Sequence, residues 1–145
     1  MFRPWRVIAE DIRESQKHLR DEKFLSAVKG IGLLADFIAS NSLRHVLFGW
    51  TSMYDLCIQE TSIGLYHTGP HLRISPLPSG FSEFRYIDTS IKERQWIRLE
   101  PPERLVERLR SFLEQIHWNT VPLTDLEGSR YQDYFFPQSL ETVAF

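Results

Sequence analysis

A chain of 145 residues, 42 % hydrophobic and 25 % charged, can bury about 70 % of the surface its unfolded form exposes around one core, which excludes disorder as its main state. A formal net charge of −2 excludes a molecule-wide positive field that would hold a polyanion by counterion release. The one cysteine, Cys57, excludes an internal disulfide or a cysteine-based zinc cluster within the chain.

Met1 runs directly into Phe2-Arg3-Pro4-Trp5-Arg6 without an apolar leader core. No apolar run approaches the roughly 18 residues a membrane helix needs. The expectation is a cytoplasmic protein with no membrane contact.

From Val7 to Ala39 apolar residues recur at helical spacing, weakly through Ile8, Ile12 and Leu19, then strongly through Phe24, Val28, Ile31, Ala35 and Ile38. One long helix or two consecutive helices fit this pattern. Asp21 is a candidate N-cap for the second part. Gly30 and Gly32 each lower helix propensity by about 1 kcal/mol relative to alanine. The pair is read as close packing of the helix on a sheet, the other reading being a kink that opens a cavity. Ser40-Asn41-Ser42 is the expected helix stop, because these side chains compete for backbone hydrogen bonds.

His45 to Trp50 is a near-continuous apolar run and reads as a buried strand. In Tyr54 to Gln59, Tyr54, Leu56 and Ile58 alternate with Asp55, Cys57 and Gln59. Thr51-Ser52-Met53 between them is either a hairpin turn or a bulge. Ser62 to Pro70 is a loop. Leu72 and Ile74 then face away from His71, Arg73 and Ser75, and beyond a turn at Pro76 to Gly80, Phe84 and Tyr86 face away from Glu83, Arg85 and Ile87. Arg94 to Leu99 is a last strand, with Arg94, Trp96 and Arg98 on one face.

Pro101-Pro102 opens a helix whose stripe is Leu105, Leu109, Phe112, Leu113 and Ile116, with Glu103, Arg104, Glu107, Arg108, Arg110 and Glu114 around it. The expected fold is α+β: a single layer of four to five mostly antiparallel strands flanked by an N-terminal helical segment and a C-terminal helix. Residues 1–118 form one domain. Residues 119–145 form an aromatic-rich tail, costly to leave in water, that docks on the domain, on a second copy or on another protein.

No phosphate-binding glycine loop, dinucleotide fingerprint, metalloprotease motif, nucleophile elbow or EF-hand loop occurs. Cys57 between Leu56 and Ile58 reads as a buried structural thiol. His67 and His71 are four apart but separated by Gly69-Pro70, so a turn with exposed imidazoles is read in place of a metal site completed by Asp55 or Glu60. His18, His45 and His117 go to helix surface or element ends. No metal and no cofactor are expected.

The strongest candidate site is Arg73, Glu83, Arg85, Arg94, Trp96 and Arg98, which simple strand order would bring within about 5–8 Å of one another. Guanidinium forks suit carboxylates and phosphates, and Trp96 offers a flat stacking surface. The bland alternative is a solvated face with cross-strand Arg/Glu pairs. The functional expectation is a non-enzymatic binding or protein-interaction domain, its partner another protein or a second copy in a homodimer. The alternative is an enzyme or sensor for a small anionic ligand held by Arg73, Arg85 and Arg98. Nucleic acid is not expected, since Phe84 and Tyr86 lie opposite Arg85 by period.

Overall fold

The computed structural model describes residues 2–60, 69–88 and 91–115. Two helices open the chain, α1 at Trp5–Gln16 and α2 at Glu22–Ala39. Between them the N–H groups of Lys17, His18 and Leu19 bond back three residues, tightening the end of α1. Asp21 caps α2 as expected, its carboxylate accepting from the Phe24 N–H at 2.8 Å.

The end of α2 is a side-chain event. The Ser40 hydroxyl donates to the Asp36 carbonyl at 2.7 Å, and the Asn41 amide donates to the Phe37 carbonyl at 2.9 Å. Asn41 Oδ1 accepts from the Leu43 N–H at 2.7 Å, which winds Ser42–His45 into a 3-10 turn. That turn removes His45 from the expected strand at His45 to Trp50, and β1 instead spans Phe48–Ser52.

The remaining strands are β2 at Asp55–Gln59, β3 at His71–Pro76, β4 at Ser82–Ile87 and β5 at Trp96–Glu100, in sheet order β1-β2-β3-β4-β5 with every pair antiparallel. Ser52 pairs with Asp55, so a two-residue turn joins β1 to β2, with Met53 in the left-handed region at φ 59°. The expected loop at Ser62 to Pro70 lies almost wholly outside the described residues. A tight turn joins β3 to β4, where the Gly80 N–H donates to the Leu77 carbonyl at 3.0 Å and Gly80 takes φ 97°, a value that favours glycine.

After Pro102–Arg104, a 3-10 turn, α3 runs Leu105–Gln115. Its stripe of Leu105, Leu109, Phe112 and Leu113 is buried, whereas Ile116 and the tail at 119–145 lie outside the described residues. Arg110 departs from the expected solvent face, being only 3 % exposed. It sits at the margin of the stripe, one turn from Val106 and Leu113, and its Nε and one terminal guanidinium nitrogen are buried along with the stem. Arg108 Nε donates to Glu100 Oε2 at 2.8 Å and ties α3 to the end of β5.

All three helices lie on one face of the sheet. Ile8 and Ile12 of α1, Val28, Ile31 and Ile38 of α2 and Phe112 of α3 meet Leu56, Ile58, Leu72, Ile74, Phe84 and Tyr86. Each of these larger side chains contributes about 1.5–3 kcal/mol by leaving water. The glycine pair is close packing, but against helical neighbours and not against the sheet. A Cβ on Gly30 would stand 2.9 Å from Pro102 Cβ, and one on Gly32 would stand 3.0 Å from Gln16 Nε2.

The start of the chain closes one edge of the sheet. The Arg3 N–H donates to the Gly49 carbonyl at 3.0 Å, and the indole N–H of Trp5 donates to the Leu47 carbonyl at 2.8 Å. Among the described residues no helix is long and apolar enough to cross a membrane.

Candidate functional site

The register of the sheet decides which candidate residues meet. Arg73 pairs with Arg85, Ser75 with Glu83 and Cys57 with Arg73, all on the face away from the helices. On β4 and β5, Arg85 pairs with Ile97 and Glu83 with Leu99 on that same face, while Tyr86 pairs with Trp96 and Phe84 with Arg98 on the helix side. The six candidates are therefore divided. Arg73, Arg85 and Glu83 share the helix-free face, whereas Trp96 and Arg98 belong to the edge of the core.

Trp96 stands 5.7 Å from the Phe112 ring, edge to face, and 6.4 Å from Tyr86, while the Arg98 guanidinium lies 5.9 Å over the Trp96 ring. This is a cation–π contact at the rim of the core. Arg94 is on neither strand, because Lys92–Arg94 forms a 3-10 turn before β5. The connection is held by the Asp88 N–H donating to Gln95 Oε1 at 3.0 Å and the Ile91 N–H donating to Asp88 Oδ1 at 2.9 Å.

On the helix-free face the charges are ordered. Arg73 Nε donates to Asp55 Oδ2 at 2.6 Å, and both side chains are about three-quarters buried. Burial, the largest single influence, would lower the Arg73 pKa; the hydrogen bond to Asp55 and the charge interactions with Cys57 and Asp55 together outweigh it, and the pKa is raised. Arg85, directly across from Arg73, buries its Nε with no hydrogen-bond partner among the described residues. Two guanidinium groups thus stand side by side with one carboxylate bound to the first.

Around this pair lie groups that the sequence did not single out together. Burial pushes the Cys57 thiol up to about 11, with Arg73 pulling the other way. A thiol held protonated at neutral pH is a poor nucleophile. His71 Nδ1 donates to the Gly69 carbonyl at 3.1 Å, leaving Nε2 as the acceptor of the neutral ring, and its pKa is lowered first by burial and then by Arg73 and Arg85. The Trp50 ring lies 5.3 Å from His71, and Phe2 packs edge-on against Trp50 at 5.5 Å. His67 falls outside the described residues, and among those described no cluster of His, Cys, Asp and Glu is placed to hold a metal.

The face changes character across the sheet. Trp50, Cys57 and Gln59 are buried at the β1–β2 side, and the arginine rows in the middle are half-buried. At the far edge Ile97 is 60 % exposed, Leu99 57 % and Phe81, one step before β4, 42 %. A concavity of about 470 Å³ opens beside them, lined by Arg85, Tyr86, Ile87, Gln95, Trp96 and Ile97. Of the described arginines only Arg85 lines it.

No family model, curated protein or solved structure matches the chain. The class defined by fold and site is accordingly that of an α+β domain with one helix-covered sheet face and one face of mixed charged and apolar side chains.

Proposed function

We propose that this chain is a non-enzymatic protein-interaction domain that engages another polypeptide through the β5 edge and the adjoining helix-free face. The observation that carries this reading is the exposure of Ile97 and Leu99 side by side on an edge strand, with Phe81 at the end of the same rows. Large apolar side chains gathered in one place mark contact surfaces more often than solvated ones. Among the described residues nothing pairs with the outer side of β5, so its backbone can receive an added strand. The partly buried Asp55–Arg73 pair and the Arg85 row beside it would select partners by charge.

The anionic-ligand alternative gains less from this arrangement, since Arg98 stands on the other side of the sheet from Arg73 and Arg85, and Arg73 is already tied to Asp55. A cytoplasmic setting goes with the interaction reading, its one cysteine being a buried free thiol.

The test places a photo-crosslinking residue at Ile97 and, as a control, at Met53, which is 92 % exposed on the opposite hairpin. A discrete adduct from position 97, absent from position 53 and abolished by Leu99→Lys, is expected, whether the captured chain is a second copy or another protein. Equal or no crosslinking from the two positions in cells and at high protein concentration would count against the proposal.

A further inference from the structure

Ile97 and Leu99 lie on the helix-free side of β5, and the residue between them faces the other way. Arg98 is exposed and has no ion pair with any described residue. Its guanidinium lies 5.9 Å over the Trp96 ring, a contact that positions the charge without cancelling it. The other charged residue of β5 is engaged within the fold: Glu100 is 9 % exposed, and its carboxylate accepts from Arg108 Nε at 2.8 Å. On its helix side the strand therefore offers one cation, at the middle of five residues, with large apolar side chains before and after it on the opposite side.

Residues directly opposite one another on paired strands point to the same face of the sheet. A strand added along β5 thus turns the side chain opposite Arg98 to the helix side and the two flanking ones toward Ile97 and Leu99. The sequence that satisfies all three positions is apolar, acidic, apolar. A carboxylate in the middle meets the guanidinium in a charge-assisted contact, and the apolar pair takes Ile97 and Leu99 out of water. A basic residue in the middle would set like charges directly opposite each other.

Two nearer occupants fit this pattern less well. If β5 of a second copy ran antiparallel along it with all five residues paired, Ile97 would meet Leu99, but Arg98 would meet its own counterpart. Sliding the strands to part the arginines while each face is kept leaves only three of the five residues paired. The stretches of the chain outside the described residues lack the pattern as well. Residues 61–68 contain no acid, and none of Asp125, Glu127, Asp133 and Glu141 has an apolar residue on both sides.

Resting on the interaction surface proposed above, we infer that the partner is a different protein, which adds to β5 an extended segment whose central residues read apolar, acidic, apolar, with the acid seated against Arg98. The sign of the charge at position 98 then sets the sign the partner must carry.

The experiment measures the fluorescence anisotropy of labelled, end-capped nonapeptides titrated with the full chain. Their central residues are Val-Glu-Val, Val-Lys-Val or Ser-Glu-Ser in a common frame of serine and threonine. Val-Glu-Val is expected to bind about fivefold more tightly than Val-Lys-Val, with Ser-Glu-Ser weaker than Val-Glu-Val. In Arg98→Glu the order of the two valine peptides should reverse, and in Arg98→Gln they should converge, each in a protein whose circular dichroism is unchanged, since the position is exposed. Equal binding of the two valine peptides, or an unchanged order in the folded Arg98→Glu protein, would overturn the inference; the contact surface itself stands if that binding is abolished by Leu99→Lys. An adduct at position 97 that proves to be a second copy also overturns the inference and leaves the surface. No binding of any peptide at about one millimolar overturns the inference alone when position 97 still gives its adduct, and the surface with it when the adduct is missing.

Discussion

Replacing Gly30 and Gly32 separately by alanine turns the packing of α2 into a measurable contrast. Both glycines are buried inside the same helix, and in an isolated helix each substitution would gain about 0.8–1 kcal/mol. What the new methyl meets decides the sign. At Gly30 it would stand 2.9 Å from Pro102 Cβ and 3.0 Å from Pro102 Cα, with Leu105 Cδ1 at 3.3 Å. A proline at the start of a helix cannot swing aside, so the backbone of α2 or of the Pro102–Arg104 turn must shift. Overpacking of that kind costs about 1–3 kcal/mol. At Gly32 the nearest atoms are Gln16 Nε2 at 3.0 Å and Ile12 Cγ2 at 3.2 Å, and a glutamine side-chain end moves with little resistance. The expected outcome is Gly30→Ala destabilised by about 1 kcal/mol and Gly32→Ala stabilised by about 0.5 kcal/mol. Urea denaturation followed by tryptophan fluorescence measures both, with m-values unchanged if the denatured states are alike. In a thermal melt the two midpoints should differ by about 5 °C. A Gly30→Ala protein as stable as Gly32→Ala would refute the claim that Pro102 seats directly on the helix.

Asp55→Ala should destabilise by about 2 kcal/mol, because it strips a charge-assisted hydrogen bond from a mostly buried arginine and leaves Arg73 facing Arg85. The cost should shrink in an Arg85→Met background, and a full cost there would show that the two guanidinium groups do not repel. His71 supplies a pH dependence. Its folded pKa lies below the ordinary imidazole value of 6.5, so the unfolded chain binds the proton first, and the His71 contribution is complete above about pH 6.5 and lost as pH falls through the folded pKa. Urea midpoints at pH 7.5 and 5.5 should fall further in the unmodified protein than in His71→Gln, and parallel declines would exclude His71 as the cause.

Much of the fold was readable because its periods are clean. On β3 and β4 burial alternates residue by residue, and the assignment of Phe84 and Tyr86 to the core follows from that alternation alone. The Asp21 cap and the α3 stripe are equally local signals. The β1 boundary was not readable, because His45-Val46-Leu47-Phe48-Gly49-Trp50 has no period and Asn41, four residues upstream, decides where extended backbone begins. Arg110 looked like one more surface charge, because a position at the margin of the α3 stripe does not by itself say whether the side chain turns inward. The division of the candidate site has a different origin. Odd-numbered residues share one face from β2 to β5, so Arg94, Trp96 and Arg98, all even, could join Arg73 and Arg85 only if the connection after Asp88 shifted the register by one. Its length permits either outcome. The bonds among Asp88, Ile91 and Gln95 select the one that sends Trp96 to Phe112.

The two edges of the sheet are finished in different ways, and this bears on the interaction surface proposed at β5. At β1 the chain covers its own edge: Arg3 bonds to Gly49, Phe2 packs on Phe48 and Trp50, and the Trp5 ring lies so close to Gly49 that a Cβ there would stand 2.6 Å from it. Closing that edge places Arg3 and Arg6 along the same cleft as Arg44 and His45. At β5, among the described residues, no such segment is present. Natural sheets guard an edge with charge, and here Lys92, Glu93 and Arg94 do so only ahead of the strand, while Arg98 is turned toward Trp96 on the helix side. The helix-free side of β5 is left with Ile97 and Leu99. An incoming strand would thus meet apolar side chains on one face and a cation on the other, an asymmetry that fixes which way its own apolar residues must point.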